Sequence, residues 1–333
     1  MKKRDKRIED LDASIKWSRA VKNDLKHGVE YKFERKRIIE AVYRPFIKSH
    51  LYFDKHLNEM QYQLDAVFRA EPNPTIAFLC VDSSNPLAVL AVNQSFDYCL
   101  LKMGNGGTQA MSRWSYDEEG ERLDNITDWA LRKFRTAYKS ARGDKITKDH
   151  IFYYTYAILH DPFYRIKYAL NLRREFPHIP LYPNFQRWAE WGKNLMTLHL
   201  DFETVKNWPL RRVEKRDVRS RKAGLQPKLM LKADKAAGAI VLDSETQLVG
   251  VPPLAWDYKL ANRSALEWIL DQYSEKASRD QTVREKFDSY RFADYKEEVI
   301  ELIMRVTRVS VETMNIVNAM GEISPLGDGG GRD

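Results

Sequence analysis

The sequence predicts an α+β fold in which a mostly helical body carries two small antiparallel β-sheets or hairpins. Three observations lead to this prediction. Apolar residues recur at helical spacing over long stretches, most clearly within 146–182. Short runs rich in β-branched and aromatic residues, within 75–101 and 239–251, are bounded by turn residues and are typical of strands. Finally, 43% hydrophobic and 31% charged residues are typical of a chain that folds around a core.

The first part of the chain, residues 8–68, is predicted to be helical. Apolar residues from Ile8 to Leu25 repeat at helical spacing until Gly28, a residue that favours helix ends. A second helix is predicted to begin at Arg35 and to end at Val42, before the Tyr43-Arg44-Pro45 sequence.

The next part, after Pro72 and Pro74, is predicted to form a small antiparallel sheet. Turn residues at 83–86 and a glycine cluster at 104–107 separate or end the strands. The predicted strands are 75–81, 87–92 and 96–101. Cys80 and Cys99 lie within these runs, and we expect buried free thiols because a reducing compartment disfavours a lone disulfide.

A helical region is predicted from the polar boundary at 117–121 to about Leu200, and its first clear helix is 128–138. Within it, Asp161-Pro162 divides the aromatic-rich stretch 146–182 into two helices, because proline cannot continue the first one. Two helices joined by a short turn would form an αα-hairpin with one apolar face. Tyr156, Phe163 and Trp188 are predicted to be core residues rather than base-stacking platforms.

The last part of the chain is predicted to contain a hairpin and two helices. The hairpin joins 239–242 to 247–251 through a polar turn. Helices are predicted at 260–273 and 295–319, and residues 327–333 show no evident function. No apolar stretch approaches the roughly 20 residues that span a bilayer, and no apolar core of a signal peptide follows the basic N-terminus. We therefore expect a cytoplasmic protein.

Positive charge is concentrated in residues 211–235. The whole chain has a formal net charge of +8, and in this segment ten basic residues accompany three acidic ones. Such a surplus of positive charge repels itself unless an anionic partner neutralises it, and a polyphosphate backbone is the obvious candidate. The alternative is a solvated loop that has no partner. The ten basic residues are Arg211, Arg212, Lys215, Arg216, Arg219, Arg221, Lys222, Lys228, Lys232 and Lys235.

No complete catalytic motif occurs in the sequence. An amino-methyltransferase needs an Asn/Asp-Pro-Pro-aromatic turn to hold a flipped base, and neither Asn73-Pro74-Thr75 nor the proline pair within 250–254 satisfies it. Asp243 followed by Asp257-Tyr258-Lys259 copies the acidic arrangement of Mg²⁺-dependent nucleases, but carboxylates recur at such spacings by chance. No Cys/His spacing suggests zinc. We expect no catalytic, cofactor-binding or metal-binding residue in this chain.

Several ordered stretches of the chain resemble one family, the Type ISP restriction-modification enzymes. Those are single-chain bacterial proteins with nuclease, helicase, methyltransferase and target-recognition parts. The aromatic-rich stretch resembles their C-terminal specificity domain. The other matching stretches are Tyr43-Arg44-Pro45-Phe46, Leu51-Tyr52-Phe53-Asp54, Asn58-Glu59-Met60, 125–131, 262–268 through Gln272-Tyr273, and 309–313 through 316–318.

The resemblance implies a division of the chain and a function. Residues 1–70 would be the helical C-terminal part of the methyltransferase or a connector, 71–120 a small β-rich segment, 121–325 the target-recognition domain, and 326–333 a flexible tail. The chain would be part of a larger or split protein. It would recognise a sequence in double-stranded DNA and present it to an adenine or cytosine amino-methyltransferase. S-adenosylmethionine, ATP and Mg²⁺ are expected only for the methyltransferase and helicase-nuclease portions, which would be its protein partners.

The resemblance and the local charge together predict the DNA-binding residues. Arg211, Arg212, Lys215 and Lys222 are predicted to contact phosphates. Arg216, Arg219 and Arg221, together with Lys228 and Lys232, are predicted to contact bases. Lys259 and Arg263 would flank the same groove, although Arg263 could equally cap or brace the helix that follows it.

Two other functions remain compatible with the sequence. The chain could be one part of a split DNA methyltransferase that is active only with its missing catalytic half. It could also be a helical protein-interaction module whose basic loop contacts an acidic protein. The first alternative predicts salt-dependent binding to duplex DNA, and the second predicts none.

Overall fold

The computed structural model describes residues 17–58, 61–68, 72–80, 85–101, 107–215, 226–276, 284–285 and 290–322. These residues contain eight α-helices and thirteen strands, and the strands form five small antiparallel sheets. The prediction of an α+β fold with a mostly helical body and two small sheets is therefore wrong, because the described residues form more strands and more sheets than predicted. Most of the additional strands have only two to seven residues, too few for a clear alternation of apolar and polar positions.

The N-terminal part is a helix followed by a β-hairpin. Helix α1 (Arg19–Lys26) begins at Ser18, whose hydroxyl accepts a hydrogen bond from the Val21 amide. Strands β1 (Ile38–Arg44) and β2 (Ile47–Tyr52) then pair where a helix is predicted for 35–42, so that prediction is wrong. β-branched and aromatic residues favour the pleated conformation here, and a short turn with Phe46 at φ 61° reverses the chain.

A three-stranded sheet separates two hydrophobic cores. Helix α2 (Leu64–Val67), a single turn, precedes β3 (Thr75–Leu79), β4 (Ala88–Val92) and β5 (Gln109–Ser112), which pair in the order β4-β3-β5. Every residue of β3 and β4 is buried, because alternate side chains enter opposite cores. The first two predicted strands are confirmed.

The third predicted strand, 96–101, is wrong, because these residues form a bridge and turns. Phe96 makes an isolated bridge to Val42, while Leu100 and Leu101 are fully buried in the core. Their apolar character therefore reflects packing rather than strand pairing. Cys80 is buried and Cys99 partly buried, and the two are not joined in a disulfide.

The helical region follows the hairpin of β6 (Trp114–Tyr116) and β7 (Arg122–Asp124). It contains α3 (Asp128–Ala137), α4 (Lys148–Ile158), α5 (Pro162–Lys167) and α6 (Phe185–Leu200). The first predicted helix and the break at Asp161-Pro162 are confirmed. The Asp161 carboxylate caps α5 by accepting hydrogen bonds from the Phe163 and Tyr164 amides.

The predicted αα-hairpin across this break is wrong, because α5 has only six residues and α6 is the long helix that packs on α4. Tyr156 and Trp188 are fully buried, as predicted. Phe163 is 42% exposed, so its prediction as a core residue is wrong. Pro162 starts a new helix axis, and the apolar face of α4 does not continue along it.

The C-terminal part contains a four-stranded sheet, a short two-stranded ladder and two helices. Strands β8 (Arg211–Glu214), β9 (Leu229–Asp234), β10 (Ala239–Asp243) and β11 (Thr246–Val249) pair in the order β8-β11-β10-β9. The predicted hairpin is the β10–β11 pair and is confirmed. Ladder strands β12 (Lys259–Leu260) and β13 (Arg263–Ser264) precede helix α7 (Ala265–Gln272), so the helix predicted for 260–273 begins later than expected.

The last helix, α8 (Phe292–Gly321), confirms the predicted 295–319 helix and contacts both cores. Val306 lies in the core beneath the four-stranded sheet and α7, whereas Met320 lies in the core of the helical region. Within the described ranges, no helix combines the length and the apolar character needed to cross a membrane. The division of the chain at residues 70 and 120 stays a prediction.

Candidate nucleic-acid interface

The four-stranded sheet has one buried face and one exposed face. Residues directly opposite each other in an antiparallel pair project to the same face. Ile240 and Leu248 are opposite each other and fully buried, which places them over the core. The neighbouring row, Lys232–Val241–Gln247–Val213, lies on the other face and is partly or fully exposed.

Positive side chains lie on both edge strands of this exposed face. Arg211 is on β8, opposite Val249, and Lys232 is on β9, opposite Val241. With neighbouring strands about 4.8 Å apart, the two edges are on the order of 14 Å apart. Both side chains are exposed, and neither forms an ion pair with a described residue. The exposed face therefore has a partly apolar centre and a cation on each edge, and the exposed Asp234 of β9 lies on the same face.

The turn between β10 and β11 forms hydrogen bonds with Lys215 and Lys228, two residues of the basic segment 211–235. The Lys215 amide donates to the Glu245 carbonyl (2.7 Å), and the Ser244 amide donates to the Lys228 carbonyl (2.9 Å). The Lys228 amide in turn donates to the Ser244 hydroxyl (3.1 Å). Lys215 and Lys228 therefore lie at the same end of the sheet.

Asp243 gives this turn its shape. Its buried carboxylate accepts hydrogen bonds from the Glu245 and Thr246 amides, both at 2.8 Å, and forms an ion pair with Lys296 (2.8 Å). Asp257, the second acid of the nuclease-like pattern, is exposed. Among the described residues, no group of three His, Cys, Asp or Glu side chains could hold a metal ion. Asp243 therefore shapes this turn, which is a structural role for the acid that fits the nuclease-like pattern.

Arg212 lies on the opposite side of β8 from Arg211. It is opposite Leu248, on the core-facing side, and its guanidinium binds Glu214 (2.5 Å) and Glu297 of α8 (2.8 Å). Burial opposes the ionised form of Glu214, but the bonds from Arg212 and Thr246 still hold the pKa of that carboxyl below its ordinary value. Arg212 therefore attaches the edge strand to α8.

The predicted DNA-binding residues other than Arg212 fall into three groups. Lys259 is exposed on β12, whereas Arg263 pairs with Asp271 (2.9 Å) and lies over the Trp268 ring, so Arg263 braces α7. Those that are exposed without an ion pair to a described residue are Arg211, Lys215, Lys228, Lys232 and Lys259. Those that lie outside the described residues are Arg216, Arg219, Arg221 and Lys222.

The structure also shows an exposed aromatic pair that sequence reasoning missed. The Tyr62 and Tyr98 rings stack at 6.5 Å, are 71% and 57% exposed, and line a cavity of about 230 Å³. Tyr98 falls in the run predicted as a strand, and Tyr62 in the region predicted as a helix. Because both of these predictions are wrong, no pattern in the sequence indicates that the two rings meet.

The comparisons with known proteins agree on the family. Residues 1–302 match the family described as the Type ISP C-terminal specificity domain. The chain belongs to this family, which confirms the resemblance seen in the sequence. No curated protein matches the chain.

Three solved structures are similar to the chain over nearly its whole length. A cryo-EM structure of a DrdV–DNA complex has 44% identity and a TM-score of 0.88, covering 95% of this chain and 32% of the DrdV chain. The ATP-dependent Type ISP restriction-modification enzyme LlaBIII bound to DNA has 21% identity and a TM-score of 0.76, covering 94% and 20%. A nuclease-deletion mutant of the Type ISP enzyme LlaGI with a DNA substrate mimic has 23% identity and a TM-score of 0.74, covering 96% and 30%.

The chain therefore spans about a third of the DrdV chain and smaller shares of the other two. The likeness to LlaBIII and LlaGI shows the fold alone.

Proposed function

We propose that this chain recognises a short sequence in double-stranded DNA as the specificity domain of a Type ISP restriction-modification enzyme. The observation that carries the proposal is the exposed face of the four-stranded sheet. Arg211 and Lys232 lie there without an acidic partner among the described residues. A turn of the same sheet forms hydrogen bonds with Lys215 and Lys228 of the basic segment. The DNA in the DrdV structure, at 44% identity, supports the same ligand for this chain.

We assign each cation a role in this proposal, and the geometry supports the assignment for the described ones. Arg211 and Lys215, at the edge of the sheet, would contact phosphates together with Lys222. Arg216, Arg219 and Arg221 would read bases, and so would Lys228 and Lys232. Arg212 and Arg263 would position their elements instead, because each guanidinium is already bound to a carboxylate. Lys259 would contact the phosphate backbone.

The decisive experiment measures binding to a randomised duplex library, followed by sequencing of the bound molecules. We expect one short sequence to be enriched. Affinity for that duplex should fall steeply between about 50 and 200 mM salt. No enrichment together with no duplex binding would reject the proposal. Salt-dependent binding to an acidic protein without duplex binding would favour the interaction-module alternative.

Substitution of Arg216, Arg219 and Arg221 by Ala tests where the sequence is read. Each lost contact to a base edge should weaken binding by about 1–3 kcal/mol and relax one position of the enriched sequence. Unchanged affinity and unchanged sequence preference would place the recognition surface elsewhere, with the Tyr62–Tyr98 pair as the next region to test.

We also propose that the chain presents the bound DNA to an amino-methyltransferase. This proposal is supported by the share of the DrdV chain, about two thirds, that lies outside the region matched here. S-adenosylmethionine, ATP and Mg²⁺ would act in those other parts. We expect this chain alone to transfer no labelled methyl group to DNA, and label incorporation above a mock preparation would contradict this.

A further inference from the structure

A small cationic pocket lies on the helical region, apart from the sheet face described above. Its volume is about 170 Å³, and it is lined by Arg165 of α5, Arg173 of the following 3₁₀ turn and Lys259 of β12. The other described residues that line it are apolar or uncharged, and none of them has a carboxylate. Three cations from two distant parts of the sequence therefore surround one cavity.

Arg165 is held in place by the backbone. Its Nε donates to the Leu159 carbonyl at the end of α4 (2.7 Å), which fixes the guanidinium. It forms no ion pair with a described carboxylate. Asp161, four residues earlier, is occupied by the Phe163 and Tyr164 amides and by the Tyr182 hydroxyl (3.1 Å).

Such an arrangement is unfavourable unless an anion completes it. Burial lowers the pKa of Arg165, although Tyr258, Tyr156 and Asp161 oppose this shift. A desolvated cation needs a partner to offset the loss of solvation. Arg173 and Lys259 are exposed at the rim and add further positive charge.

The chemistry and size of the pocket point to a phosphate group. The planar guanidinium fork matches phosphate oxygens in bidentate geometry, and a lysine contributes a point charge. At about 170 Å³ the cavity is smaller than the roughly 300 Å³ at which pockets for drug-sized ligands begin. It therefore suits one phosphate group better than a whole nucleotide.

We propose that Arg165, Arg173 and Lys259 form a phosphate-binding pocket that takes one phosphate of the DNA backbone. This inference rests on the proposed function for the source of the phosphate. It adds a contact from the helical region to the contacts of the four-stranded sheet. Lys259 is also one of the cations that the sequence predicts to bind DNA.

The first test is a salt titration of duplex binding with the Arg165→Gln variant of the full chain. Loss of one phosphate contact should reduce the salt slope by about one unit, equally for all sequences. Affinity should fall about tenfold, as expected for a hydrogen bond to a charged group. Lys139→Gln is the matched control, since Lys139 is exposed and lines none of the described pockets, and its affinity should stay unchanged.

A second variant guards against misfolding. Arg165 is partly buried, so thermal melting of Arg165→Gln is measured alongside binding. Arg173→Gln removes a charge from the exposed rim and should reduce affinity without changing the melting temperature. Normal duplex affinity in both folded variants would overturn the DNA-backbone assignment.

The source of the phosphate is tested separately. Inorganic phosphate should raise the melting temperature of the unsubstituted chain above that in chloride at equal ionic strength, and Arg165→Gln should abolish the rise. In a series of duplexes, each with a single neutral methylphosphonate linkage, one linkage position should weaken binding to the unsubstituted chain. The same position should not weaken binding to Arg165→Gln.

Failure of the phosphate pocket can be distinguished from failure of the proposed DNA-binding function. A phosphate-dependent rise without any such linkage position would assign the pocket to a free phosphate-bearing ligand and overturn the DNA source. No phosphate-dependent rise in melting temperature would overturn the pocket itself, even if the sheet binds DNA. If the unsubstituted chain binds no duplex, the proposed function fails, while the phosphate melting experiment still decides the pocket.

Discussion

The helical region and the four-stranded sheet place their polar groups in opposite ways. At the junction of α4, α6 and α8, polar side chains are buried, uncharged and bound to one another. Tyr156 Oη accepts from the Ala91 amide (2.8 Å) and donates to His199 Nδ1 (2.5 Å), and His199 Nε2 donates to the Thr313 hydroxyl (2.9 Å). On the sheet, by contrast, Arg211 and Lys232 are exposed and have no described acidic partner.

The difference separates stability from binding. A buried network whose donors and acceptors are paired fixes one arrangement of the elements that supply it. Exposed cations add little to folding stability, but their interaction energy remains available to an anionic partner. Substitutions of buried residues in the helical region should therefore change the free energy of unfolding, and substitutions of exposed, unpaired cations should change DNA affinity.

The largest effect should come from Trp188→Ala. Trp188 is fully buried in the core of the helical region. Truncating a large buried aromatic costs about 3–5 kcal/mol of unfolding free energy, measurable by urea denaturation. The control is Phe163→Ala, which removes a 42% exposed ring and should change stability by about 0.5 kcal/mol or less. Equal losses in the two variants would contradict the assignment of Phe163 to the surface.

Gly192→Ala should give the next largest effect. A Cβ added at Gly192 would lie 1.7 Å from the Tyr153 carbonyl oxygen, so α4 and α6 would have to separate. Helix propensity alone would favour alanine by about 1 kcal/mol, but overpacking costs about 1–3 kcal/mol or more and should dominate. At Gly321 the added Cβ meets nothing within 4 Å, so Gly321→Ala is the matched control and should not destabilise the protein. Increased stability of Gly192→Ala would show that the helices are less closely packed.

Stability should also depend on pH through His199. Burial lowers the pKa of His199 to about 3, compared with an ordinary value of 6.5. The unfolded chain therefore binds more protons at mildly acidic pH, and stability falls as pH decreases from 6.5 toward 3. At pH 5 the loss relative to pH 8 should be about 2 kcal/mol from this residue.

Urea denaturation at several pH values measures this loss. His160 is also buried with a lowered pKa and contributes in the same direction. His199→Gln keeps a polar side chain without the titration, so its stability should vary less between pH 5 and 8. An identical pH dependence in both proteins would exclude His199 as a source.

The sequence predicted the long helices better than the short strands for a physical reason. Helices such as α3 and α8 repeat their apolar positions over several turns, and the Thr127 hydroxyl caps the start of α3. The hairpin of β1 and β2 depends instead on pairing between Ile38 and Tyr52, which no local pattern encodes. Its apolar residues fit both a helix and a strand.

The candidate interface could be predicted as a segment but not residue by residue. Its excess of positive charge is visible in the sequence. Which of Arg211 and Arg212 is available depends on strand register and on Glu297, 85 residues beyond Arg212. Similarly, Arg165 meets Lys259 only through the tertiary fold. Long-range contacts therefore decide which cations remain unpaired.

The smallest expected effect is on the salt dependence of duplex binding when one of two lysines of the basic segment is substituted. Lys232 is exposed on β9 without a described acidic partner, whereas Lys235 pairs with Glu267 at 2.8 Å. If Lys232 approaches DNA closely enough to displace a counterion, Lys232→Gln should reduce the salt slope of duplex binding by about one unit. Lys235→Gln should leave the slope nearly unchanged, because Glu267 already neutralises that charge. Fluorescence anisotropy with the enriched duplex at several salt concentrations measures both slopes. A larger change for Lys235→Gln would mean that the Glu267 pair opens on binding, and the distinction between paired and unpaired cations would then no longer predict the interface.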